Sequence, residues 1–208
     1  KSVAQFIRLW LNEHGRWNAP KYLGGESYGT TRSAAVLNQL EGQYNDVSLN
    51  GVILISTVLD FGAGADTQGN EIGYALNIPS MAATALFHGK TTHPGGAAGI
   101  SADARAWASG PYLAALLKGN ALSAEEHATV RRDLARYTGL SEAFLDRADL
   151  RVTPGRFYKE LLRDRGLTVG RLDSRYTGKD ADNAGSEPDN DPSFYGIDGG
   201  YTAAINAY

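Results

Sequence analysis

The sequence predicts an α/β segment followed by a mostly helical array. Three observations carry that prediction. Residues 1–60 alternate helical and strand-like periodicity. A continuous apolar run at residues 49–56 (LNGVILIS) suits a strand buried on both faces of a parallel sheet. No second run of that kind follows, and the rest of the chain alternates helical stretches with Gly-rich loops. The expected division is therefore a partial sheet-containing core over residues 1–60 and a predominantly helical portion over residues 61–208.

The elements are justified in order. Val3, Phe6, Ile7, Trp10 and Leu11 have the spacing of an amphipathic helix, Ser2 and Gln5 that of a capping box, and Gly15 stops the helix. Residues 21–26 (KYLGGE) read as a strand and residues 28–40 as a helix, with Ala34, Leu37 and Leu40 three apart. Residues 62–73 read as a Gly-rich polar loop. A helix is expected around residues 80–87, ended by Gly89. A second Gly-rich loop at 93–99 leads to Ser101 as an N-cap. The helix from Ala102 should break near Gly110-Pro111, because proline removes a donor and clashes with the preceding turn. Ser123 and Glu126 form a capping box before a helix with Val130, Leu134 and Tyr137 on one face. Ser141 caps a short helix stapled by Leu140 and Leu145. Thr153-Pro154 is an N-cap followed by proline at N1, and that helix carries Phe157, Leu161 and Leu162 to Gly166.

Composition excludes several classes. A chain of 208 residues with 42% hydrophobic and 21% charged residues is an ordinary globular length and mixture. No run of about 18 apolar residues occurs, so no helix is expected to span a membrane. A net charge of -3 gives no general pull toward nucleic acid. The absence of cysteine excludes disulfides, thiolate metal sites and a cysteine nucleophile. The acidic stretch at 178–193 (GKDADNAGSEPDNDPS) lacks apolar groups and reads as a solvated loop. Against the EF-hand template, Asp180, Asp182 and Gly185 fit, but Ala184 offers no ligand oxygen and Asp191 stands where Glu belongs. Neither a metal nor a cofactor is expected.

Gly25-Glu26-Ser27-Tyr28-Gly29 fits G-x-S-x-G, the nucleophile elbow. In such a turn the serine is strained, and its Oγ stands at the C-terminal edge of the sheet. Glycines two before and two after let the backbones approach. The Tyr28 N–H then points at a developing oxyanion, aided by the helix dipole. With 25 glycines in the chain the bare pattern can arise by chance. Its setting, after a strand and before a helix, is what the chemistry requires. The competing reading is a Gly-rich turn in which Ser27 only caps a helix.

A serine nucleophile needs a histidine base oriented by an acid. His14 precedes the motif, His88 falls in the last turn of a helix, His93 lies in a loop before Pro94, and His127 opens a charged helix. None follows a strand-like run, so the triad is expected to be incomplete within this sequence.

The elbow, with Glu before the serine and Tyr after it, resembles that of the serine carboxypeptidases. Residues 15–21 (GRWNAPK), Thr30-Thr31-Arg32, residues 78–90 and residues 170–178 (GRLDSRYTG) resemble the bacterial members. The resemblance implies an α/β-hydrolase fold with a helical cap inserted after the strand that follows the elbow. It implies Ser27 as nucleophile, the Tyr28 N–H as an oxyanion donor, and Glu26 as a contact for the substrate's C-terminal carboxylate. The other reading of Glu26 is an acid stabilising a helix N-terminus. The family's oxyanion glycines would precede this sequence, and its catalytic Asp and His would follow Tyr208. Together with a start at Lys1 and Met81 as the only methionine, this leads to the expectation of a fragment inactive alone. The parent would be a bacterial periplasmic or secreted enzyme acting on peptides through an acyl-enzyme. An incomplete sheet would invite self-association. Two further readings stay open: a non-catalytic helical cap module, and an esterase or acyltransferase on the same fold.

Overall fold

A computed structural model describes residues 1–42, 46–64 and 69–208, so part of the predicted 62–73 loop lies outside the described residues. The chain is mostly helical with few short strands. It divides into two units, Lys1–Phe61 and Gly62–Tyr208.

In the first unit α1 (Ser2–Glu13), β1 (Tyr22–Glu26), α2 (Tyr28–Leu40) and β2 (Gly51–Ile55) follow one another. β1 and β2 pair in parallel, with Tyr22 opposite Gly51 and Glu26 opposite Ile55. Ala4, Leu11, Val36, Leu40 and Val47 form the core, with Ile7 and Leu23 packed on it. Two expectations are corrected. α1 begins at Ser2, so Ser2 is inside the helix and no side chain caps it. Its packed stripe is Ala4, Ile7 and Leu11, while Val3, Phe6 and Trp10 stay exposed. The second correction concerns the apolar run of β2. Val52, Ile53, Leu54 and Ile55 are all exposed, Ile53 at 55% and Ile55 at 54%. Among the described residues this sheet has two strands. α2 packs chiefly on β1, which leaves β2 an open edge.

The second unit contains α3 (Glu71–Phe87), α4 (Gly96–Trp107), α5 (Leu113–Lys118), α6 (Ala124–Thr138), α7 (Glu142–Arg147) and α8 (Pro154–Glu160). A short antiparallel pair, β3 (Thr168–Val169) and β4 (Thr177–Gly178), follows, then α9 (Pro192–Ala207). α3 is central and packs on α4 and α6. Its Ala75, Ala82 and Ala85 are small enough for close approach, and Ile78 and Met81 fill the space between. Trp107 lies 5.0 Å from Tyr112 and 5.2 Å from Tyr137, ring centre to ring centre. Burial lifts the Tyr112 phenol far above its usual range, and its hydroxyl donates to the Leu150 carbonyl at 2.6 Å.

α3 starts at Glu71, well before residue 80, and carries Pro79 inside it, so residues 71–73 are helical rather than part of the predicted loop. Ser101 is likewise inside a helix rather than at its N-cap, since α4 begins at Gly96; its hydroxyl donates to the Pro79 carbonyl at 3.4 Å. The break near Gly110-Pro111 is a single π-helical turn, Ala108–Tyr112, which interrupts the α-helical bonding where proline has no N–H to donate. Three of the predicted caps form, those at Ser123, Ser141 and Thr153. Ser123 and Glu126 exchange bonds of 3.2 and 2.9 Å, Ser141 accepts from the Phe144 N–H, and Thr153 accepts from the Arg156 N–H. No helix among the described residues is long and apolar enough to cross a membrane.

Candidate active site

Ser27 sits between β1 and α2 with φ 52° and ψ -122°. A residue with a Cβ rarely adopts positive φ, and holding it there costs on the order of 1–3 kcal/mol. Neighbouring bonds supply the restraint. The Ser27 N–H donates to the Ile55 carbonyl at 3.0 Å. The Ser27 carbonyl accepts from the Thr30 N–H at 3.0 Å and from the Thr30 hydroxyl at 2.7 Å. That hydroxyl also accepts from the Val58 N–H at 3.2 Å, which ties the turn to the chain leaving β2. Thr30 is buried, and sequence reasoning gave it no role. The available signal was a hydroxyl three residues after the serine, a spacing that favours side-chain-to-backbone bonds.

Gly25 explains one half of the glycine pattern. A Cβ there would stand 2.2 Å from the Gly29 carbonyl oxygen and 2.6 Å from the Ser33 hydroxyl. A Cβ on Gly29 would meet nothing within 4 Å. The close approach therefore constrains Gly25, not both glycines.

Ser27, Glu26 and Tyr28 are all exposed. Among the described residues no hydrogen bond reaches the Ser27 Oγ or the Glu26 carboxylate. The Tyr28 N–H is the first of α2, where helices leave donors unpaired, so it is free for an incoming oxygen. The Tyr28 ring faces Phe61 at 6.4 Å, and the Arg32 guanidinium lies 5.4 Å from its centre.

Each histidine is engaged elsewhere. His14 stacks on Trp10 at 4.4 Å and bonds that residue's carbonyl at 3.0 Å. His88 lies at the C-terminus of α3, as the sequence placed it, and its Nε2 bonds the Ser174 carbonyl at 2.7 Å. His93 has both nitrogens committed: Nε2 to Asp103 at 3.0 Å, and Nδ1 to the Gly95 N–H at 3.1 Å. The backbone donor makes Nδ1 the acceptor, so Nε2 carries the proton. His127 Nδ1 lies 3.9 Å from Asp146.

The acidic stretch is held by residues that precede it. Lys159 donates to the Asp180 carboxylate and to the Asp182 carbonyl. Arg163 donates to the carbonyls of Asn183 and Gly185. Asp180 thus faces an ammonium group. Among the described residues no group of three or more His, Asp or Glu could hold a metal ion. No family model, no curated protein and no solved structure matches this chain.

Proposed function

We propose that this chain carries the nucleophile of a serine-type carboxypeptidase, on a fragment of an α/β-hydrolase sheet with a helical cap. The observation that carries the reading is the strained Ser27 between a parallel strand and a helix, with the Tyr28 N–H free beside it. A merely capping serine would take extended backbone and accept from the first turn. Ser27 has positive φ and makes no side-chain cap bond. In the reaction a histidine base takes the Ser27 hydroxyl proton as Oγ attacks the scissile carbonyl, and the Tyr28 N–H receives the oxyanion. The C-terminal residue leaves as the amine with that proton, and water hydrolyses the acyl-enzyme. Glu26, next to the nucleophile, contacts the substrate's C-terminal carboxylate. The residue resemblance, not the geometry, assigns Glu26 this role and assigns the enzyme to the bacterial periplasm or exterior. Exposed β2 is the surface through which self-association is proposed, readable by light scattering.

The unpaired Ser27 Oγ favours a second reading, a non-catalytic module. An esterase or acyltransferase would share the same turn. The test is hydrolysis of blocked dipeptides and of matched esters by the full-length gene product and its Ser27→Ala variant. A loss of about a thousandfold or more in peptide hydrolysis is expected. Equal rates would sink the nucleophile, and loss confined to the esters would favour the esterase. The 208-residue chain alone is expected to match its own Ser27→Ala variant.

A further inference from the structure

The second unit contains a cleft of about 640 Å³ between the first turn of α8 and the 187–191 segment. A smaller chamber of about 210 Å³ continues it toward Ser80 and Thr84 of α3. Pro154, Tyr158 and Arg171 line both. The larger chamber is within the size range of small-molecule sites.

Its polar groups, exposed Arg171 and Glu187 and half-buried Tyr158, are unpartnered among the described residues. Among the described residues no hydrogen bond or ion pair reaches the Arg171 guanidinium, the Tyr158 hydroxyl or the Glu187 carboxylate. Arg131, Arg151 and Arg163, by contrast, each bond partners within the chain. Arg171 is nevertheless fixed at its backbone. Its N–H donates to Asp191 Oδ1 at 3.0 Å, and the next N–H donates to Ser193 Oγ at 3.1 Å. The preceding Gly170 is packed so tightly that a Cβ would stand 2.4 Å from the Asp173 carbonyl oxygen. Burial raises the Tyr158 phenol above its usual range, so it remains a neutral donor. Glu187 lies across bare backbone at Gly155, a position a side chain there would contest.

The charges choose the ligand. A guanidinium beside a phenol donor reads a planar carboxylate. Glu187 and Asp191 at the same cleft disfavour a multiply charged anion such as phosphate. Asp191 commits its Oδ1 to Ser193 and to the Arg171 N–H, which fixes it to the fold; the Glu187 carboxylate, unbonded among the described residues, can receive a cation. We propose that this groove binds a zwitterionic amino acid or dipeptide, its carboxylate on Arg171 and Tyr158 and its ammonium on Glu187. The site is independent of Ser27.

The experiment is calorimetric titration of the Ser27→Ala chain, which cannot consume its probe. The probes are alanyl-phenylalanine, its N-acetyl form and its C-terminal amide. The free dipeptide should bind at least about tenfold more tightly than either blocked form, one lost charged contact being worth about that factor. Arg171→Gln should weaken the free and N-acetyl peptides and leave the amide unchanged. Glu187→Gln should weaken the free peptide and the amide and leave the N-acetyl form unchanged. Neither side chain bonds the fold, so melting temperatures should hold. Equal binding of the three probes, absence of binding, or indifference to Arg171→Gln would overturn the proposal while leaving the Ser27 reading untouched.

Discussion

Lys159 is fully buried, and its ammonium meets an Asp180 carboxylate that is 2% exposed. A buried ion pair of this kind is costly to halve, because the remaining charge has neither water nor partner. Asp180 also accepts from the Asp189 N–H at 3.0 Å, so the pair anchors both ends of the acidic stretch to α8. Lys159→Met should therefore destabilise the second unit by about 3–5 kcal/mol. Adding Asp180→Asn should recover part of that loss, because the orphaned charge is removed. Urea unfolding of both variants measures it; a single-variant loss under about 1 kcal/mol would mean that the pair is not buried in solution.

The same pair fixes a pH dependence. Burial alone would push the Asp180 carboxyl up, but the bonds from Lys159 and Asp189 outweigh it and hold it below its usual value of 3.8. A folded-state value below the unfolded one gives stability that is complete above about pH 4 and is lost as pH falls through the folded value. The hydrogen-exchange protection factors of residues 178–193, which correct for the intrinsic pH dependence of amide exchange, should therefore hold from neutral pH to about 5 and fall toward pH 3. In Lys159→Met the loss of protection should begin at higher pH, because only the Asp189 bond then opposes burial. An unchanged onset would refute the coupling.

These consequences were not legible in the acidic stretch itself. Its composition predicts a solvated loop, and most of its side chains are solvated. The partners that order it lie about twenty residues earlier, on a helix whose own pattern gave no reason to bury Lys159. α9 carries Gly196, Gly199 and Gly200, which lower helix propensity, so its sequence gives no strong helical signal. The β3–β4 pair was missed because two-residue strands carry no period. Although the cap signal misled at Ser2 and Ser101, where the serine lies inside the helix, caps were legible at Ser123, Ser141 and Thr153 because that signal is local. The turn at Ser27 was legible for the same reason. Thr30 and Arg171 were not, because what distinguishes them is a carbonyl, an amide or a cleft contributed by distant residues.

Thr30 makes a test of that kind of hidden support. Its hydroxyl joins the Ser27 carbonyl to the Val58 N–H. Thr30→Val keeps the volume and removes both bonds, at an expected cost of about 1–3 kcal/mol. Thr30→Ser keeps the hydroxyl and should behave much as the parent does. If the clamp holds the nucleophile, a fluorophosphonate probe should modify Ser27 several-fold more slowly in Thr30→Val than in Thr30→Ser, at a temperature where both are folded. Equal rates would reduce Thr30 to a stability role.

Adjacent glycines of β1 allow the strain of the turn to be separated from strand propensity. Gly24 and Gly25 are neighbours in the same short strand, and alanine gives each the same gain in backbone order. Their surroundings differ. A Cβ on Gly24 meets nothing within 4 Å, whereas one on Gly25 would stand 2.2 Å from the Gly29 carbonyl oxygen, a backbone atom that cannot rotate away. Gly24→Ala should change stability by less than about 0.5 kcal/mol. Gly25→Ala should cost about 1–3 kcal/mol, because α2 must shift to admit the methyl group. That shift would carry the Tyr28 N–H away from Ser27, so probe labelling of Ser27 should fall with Gly25→Ala and not with Gly24→Ala. Equal melting temperatures and equal labelling in the two variants would show that α2 does not press on the strand as the geometry places it.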